Sequence, residues 1–115
     1  MTYDMKRIPR RKLQKIMNNI SEINSLTAGM ESEDFKNDKK RSYSVLFLQI
    51  VIAETVKRLP RSFRSHHPDV PWAEIANLEK VLLVDKKNVD LDMVWKASHD
   101  MIPKLESSLK RTLEV

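Results

Sequence analysis

Between Lys39 and Leu59 the chain reads KKRSYSVLFLQIVIAETVKRL, and this block limits the possible folds more than any other feature. Tyr43, Val45, Leu46, Phe47, Leu48, Ile50, Val51, Ile52, Ala53 and Val56 place apolar side chains on nearly every side of a helix. β-Branched residues at 50, 51, 52, 55 and 56 leave a strand open for part of it, but a continuous block without a turn signal favours helix. Such a helix must be surrounded by neighbours or lie at a dimer seam.

The neighbours are legible on both sides. Leu13, Ile16, Met17, Ile20, Ile23 and Leu26 recur at three- and four-residue spacing, which predicts an amphipathic helix over about residues 10 to 28. TAGMESEDFKND, with the lone glycine Gly29, reads as a loop ending in Asp38 as a helix N-cap. LPRSFRSHHPDVPW carries three prolines and stops the central helix. Pro71 suits the first turn of a third helix running from Trp72 through Leu82 and up to Val84, and DKKNVD is a polar connector. The last helix begins near Leu91 and continues to Leu113, with a kink expected at Pro103. Four or five helices with short connections predict an all-α, up-and-down bundle.

At 115 residues the chain makes one core, read as a basic arm over 1–9 and a single helical domain over 10–115. Residues 1 to 15 hold Lys6, Arg7, Arg10, Arg11, Lys12 and Lys15 against Asp4 alone, and bases and acids cancel in the rest, so the net charge of +5 sits at one end. These six bases are candidates for contact with nucleic acid or an acidic partner, or they form a solvated terminus. Without cysteine, disulfides, thiolate nucleophiles and cysteine-ligated zinc are excluded. No apolar run approaches the roughly 20 residues of a membrane span, and no secretory signal follows the basic start, so a cytoplasmic protein with no membrane association is expected.

Few residues could carry chemistry. His66, His67 and His99 have no partner at metal-ligand spacing, and a single glycine rules out a glycine-rich phosphate loop, so neither metal nor cofactor is expected. Glu54 is the odd carboxylate in the apolar block; it predicts either a structural pairing with another helix or a catalytic group.

Four segments in order carry a resemblance: Asp34-Phe35 with Asp38, IAETVKRLP, HPDVPW, and VDLDMVW. Together they resemble the HepT-like family of HEPN-domain proteins over about residues 10 to 110. The resemblance implies a helical homodimer with a composite cleft, and a minimal nucleotidyltransferase antitoxin as partner. It also implies a toxin whose activity is metal-independent cleavage of RNA. The family motif is R-N-x-L-x-H-x-Y: histidine exchanges protons near neutral pH, and arginine holds phosphate bidentately.

Registering on Trp72 and Asp90 without a gap places the motif arginine at Glu79, its asparagine at Lys80, its leucine at Leu82, its histidine at Val84 and its tyrosine at Lys86. Glu79 would repel phosphate, Val84 cannot move a proton, and Lys86 removes the tyrosine that the family's antitoxin modifies. The frame is kept and the catalyst is lost. Three functions are therefore open: a non-catalytic binding or regulatory HEPN protein, an RNase with relocated residues such as Arg61 and His66, and a nucleic-acid-binding adaptor using the basic arm.

Overall fold

The apolar block forms one central helix, α3 (Lys39–Lys57), as expected, and most of the other elements pack directly against it. This computed structural model describes residues 8–83 and 88–114. Eight helical segments occur among them: α1 (Arg10–Thr27), α2 (Ser32–Asn37), α3, α4 (Arg61–Ser65), α5 (Trp72–Ala76), α6 (Leu78–Leu82), α7 (Leu91–His99) and α8 (Met101–Leu113). The described residues contain no strand beyond an isolated bridge between Leu83 and Val89. The all-α bundle is therefore observed, and none of the described helices is long and apolar enough to cross a membrane.

The packing follows from periodicity. Leu13, Ile16, Ile20 and Ile23 line the buried side of α1, which lies between α3 and α8. Gly29 adopts φ 73° directly after α1, a left-handed position that ends a helix and that glycine occupies without strain. Asp38 caps α3 by accepting from the Arg41 backbone N–H at 3.1 Å, as its position predicts. Ile8, only 8% exposed, belongs to the core although it precedes α1.

Several local expectations are corrected. The acidic stretch taken for a loop contains α2, because Glu31 and Asp34 form a reciprocal capping box and Phe35 is fully buried. Phe35 meets Trp95 of α7 with ring centroids 5.2 Å apart. The proline-rich connector contains the short α4, anchored by buried Phe63. The third helix is divided at Asn77 into α5 and α6.

The last helix breaks at Asp100, whose φ and ψ are −126° and −82°, and not at Pro103. In the first turn of α8 the backbone N–H that proline lacks would have no partner within the helix, so the break lets Pro103 sit where it costs least. Glu54 is also corrected. Its carboxylate takes Lys57 Nζ at 3.1 Å from its own helix, and it is half-exposed, so no pairing from another helix is needed.

Candidate functional site

The motif segment is held at both ends. Trp72 opens α5 after Pro71, and its indole Nε1 donates to the His67 carbonyl at 2.9 Å. Asp90 begins α7 by accepting from the Met93 backbone N–H at 3.0 Å, while its own N–H donates to the Leu82 carbonyl at 2.8 Å. With the Leu83–Val89 bridge, these bonds hold the end of α6 against the residues that open α7. Glu79 is half-buried and Lys80 exposed on α6, whereas Leu82 is fully buried in the core. Val84 and Lys86 lie outside the described residues. At position 79 stands a carboxylate side chain and not a guanidinium, so the five fixed N–H donors of an arginine are missing there.

The histidines are occupied locally. A His66 ring nitrogen lies 2.7 Å from the Ser62 carbonyl, and His99 pairs with the Trp95 carbonyl at 2.9 Å while stacking on that indole at 4.1 Å. Arg61, exposed on α4, lines a groove with Arg64, Ser65, Trp72 and Ala73 that does not include His66.

His67 lies near a serine and an aspartate, but the geometry is structural. Its Nδ1 is 3.4 Å from Ser108 Oγ, Ser108 is 1% exposed, and Asp69 is held by Arg111 at 2.9 Å. A nucleophile closed off from solvent cannot reach a substrate. Burial pushes His67 below its ordinary value, with Asp69 opposing the shift and His66 and Arg111 adding to it. No cluster of three or more His, Asp or Glu side chains among the described residues is arranged to hold a metal.

Two surfaces remain. Between α1 and α3 lies a groove of about 610 Å³, lined by Leu26, Lys40, Tyr43, Phe47 and Leu48 among others. Its Tyr43 and Phe47 are 49% and 65% exposed, although they sit on the central helix. On the start of α1, Arg10, Arg11, Lys12 and Lys15 are all exposed, with no acid in the first turn. Lys6 and Arg7 of the same basic run lie outside the described residues.

Comparison with known proteins places this geometry in a family setting. The family model described as Ribonuclease HepT-like matches residues 16–112. A protein of Thermococcus cleftensis named "Probable ribonuclease HepT" is 32% identical over 107 residues, covering 93% of this chain and 97% of that protein. A "Putative RNase" of Caldanaerobacter subterraneus is 31% identical over 106 residues, covering 92% and 95% respectively. Another of that name from Methanocaldococcus jannaschii is 29% identical over 102 residues, covering 89% and 84%. No solved structure matches the chain.

Proposed function

We propose a function from the premise that the chain belongs to the HepT-like ribonuclease family: it is a member without ribonuclease activity that acts as a binding or regulatory partner. The observation that carries this reading is Glu79, a carboxylate at the position of the motif arginine. Cleavage of RNA by its own 2′-hydroxyl needs a cation against the developing phosphate charge and a group that exchanges protons near neutral pH. Glu79 supplies the wrong sign, and Val84 supplies no titratable group. The partner would be a second copy of the chain, in a homodimer with the family's composite cleft, with a minimal nucleotidyltransferase antitoxin as a further partner. Exposed Tyr43 and Phe47 support an interface on α3.

The test is a cleavage assay on labelled single-stranded RNA without divalent ions. The unmodified protein should leave the RNA intact. Glu79→Arg, Val84→His and Lys86→Tyr introduced together should produce cleavage if the fold still forms the cleft. Cleavage by the unmodified protein would overturn the reading.

A second reading, binding of nucleic acid through the basic start, is favoured by the unpaired exposure of Arg10, Arg11, Lys12 and Lys15. It is compatible with a lost catalyst and is distinguished by the salt dependence of binding.

A further inference from the structure

The turn from α3 into α4 carries a second concentration of positive charge. Residues 55 to 68 contain Lys57, Arg58, Arg61 and Arg64 and no acid. Lys57 is partly neutralised by Glu54, but no ion pair of the described residues involves Arg58, Arg61 or Arg64. By contrast, Arg41 and Arg111 each have a carboxylate partner. Two arginines without counter-charge stand together here, away from the basic start of α1.

The spacing gives direction to that charge. Arg61 and Arg64 stand three residues apart on α4, on one side of the turn, and both line a groove of about 350 Å³ with Ser65, Trp72 and Ala73. Arg64 Nε is buried and has no hydrogen-bond partner. A partly buried guanidinium without counter-charge is costly, and a phosphate in the groove beside it would offset that charge. The Ser65 hydroxyl already donates to the Ser62 carbonyl at 3.0 Å, which leaves the guanidiniums as the groove's donors toward an anion.

The groove's aromatic member is rigid. Trp72 is half-buried, tied through Nε1 to the His67 carbonyl, and held edge-on by Phe63 with centroids 6.1 Å apart and ring planes at 64°. A fixed indole beside two arginines joins the two chemistries a nucleotide offers: a π-face and an anion. At about 350 Å³ the groove is within the range of small-ligand sites.

We infer that this α4–α5 groove binds a nucleotide, with Arg61 and Arg64 on its phosphate and Trp72 against its base. The site uses none of the motif positions, so it stands or falls independently of the non-catalytic reading. The nucleotide is either free or one unit of a single strand.

In a Trp95→Phe background Trp72 is the sole tryptophan, so its fluorescence reports this groove. Adenosine 5′-monophosphate should quench it and bind at least about tenfold more tightly than inorganic phosphate, as base stacking on an aromatic side chain requires. Arg61→Gln with Arg64→Gln should weaken binding by about tenfold or more, while Arg64→Lys, which keeps charge but loses the guanidinium fork, should fall between. A short oligoadenylate that binds more tightly than the monophosphate assigns the site to a strand, and equal affinity assigns it to free nucleotide. Absence of quenching at saturating monophosphate, equal binding of inorganic phosphate, or unchanged affinity in the double variant would overturn the inference. If that variant does not fold, Arg61→Gln alone, at an exposed position, decides the matter by the same reading.

Discussion

The side-chain amide of Gln49 donates to the Ser98 hydroxyl at 2.8 Å, joining the middle of α3 to α7 inside the core. It also donates to the Val94 carbonyl at 3.0 Å, and Ser98 Oγ donates to the same carbonyl at 3.1 Å. Gln49 is fully buried, yet its Oε1 has no partner, so the network satisfies the donors and leaves one acceptor orphaned. Of the buried polar side chains of α3, which also include Ser42 and Thr55, Gln49 is the one bonded to α7, and it fixes how α7 sits against α3.

Replacing that amide should therefore cost less than its hydrogen bonds suggest. Gln49→Leu removes two donated bonds but also relieves the orphaned oxygen, and Val94 keeps its bond from Ser98; a loss of about 1 kcal/mol is expected. Gln49→Ala adds a cavity and should cost about 3 kcal/mol. Urea unfolding of both variants measures the difference. Equal costs would place the whole effect in the hydrogen bonds and none in the volume.

His67 makes stability depend on pH. Its folded value is depressed from 6.5, chiefly by burial against Phe63, whose ring centroid is 4.5 Å away, and beside Ser108. A depressed value means the unfolded chain binds the proton more readily. The contribution is therefore complete above about pH 6.5 and lost as pH falls through the folded value. Thermal melts between about pH 7.5 and 5 should show a steeper decline in the unmodified protein than in His67→Gln. Parallel declines in the two proteins would remove His67 as the cause.

What could be read from sequence followed the strength of the local signal. The stripe Leu13, Ile16, Ile20 and Ile23 and the Asp38 cap each rest on a short-range rule, and both appear as expected. Sequence spacing did not show that Glu31 and Asp34 form a capping box, because neither is the usual serine or threonine opener. Pro103 misled in a different way: its chemistry was right, but the chain breaks three residues earlier, at Asp100. Arg61 and Arg64 read as part of a proline-rich connector, and the single turn of α4 is what brings them to one groove. Sequence spacing alone puts Glu79 at the expected motif arginine, and the structure adds that Glu79 is half-buried on α6, the helix that also carries buried Leu82.

Phe47 tests the interface on α3. A phenylalanine 65% exposed on the central helix, with Tyr43 one turn before it at 49%, leaves apolar area that a second copy would cover. Light scattering at micromolar concentration should give twice the chain's 13.5 kDa. Phe47→Glu, a change on an exposed position that should not disturb the core, should return the mass to the monomer value. A monomeric mass for the unmodified protein would end the homodimer proposal.

The basic start of the chain supplies the last test. Lys6, Arg7, Arg10, Arg11, Lys12 and Lys15 account for the net charge, since bases and acids balance in the remaining residues. Arg10, Arg11, Lys12 and Lys15 stand exposed around the start of α1, while Leu13 and Ile16 take its buried side, so the cations contribute nothing to the core. They also stand at the positive end of the helix dipole without an acid in the first turn, which costs a little stability. We propose that these bases serve to bind an anion, since the four described ones add nothing to the core. If each base neutralises one phosphate of single-stranded RNA, affinity should fall with salt at a log–log slope approaching about −4, and partial engagement should lower the slope in proportion. Changing all six to serine should flatten the dependence and weaken the complex, which fluorescence anisotropy at several salt concentrations measures. An unchanged slope and affinity would show that these bases are merely solvated, and the charge asymmetry would then have no part in recognition.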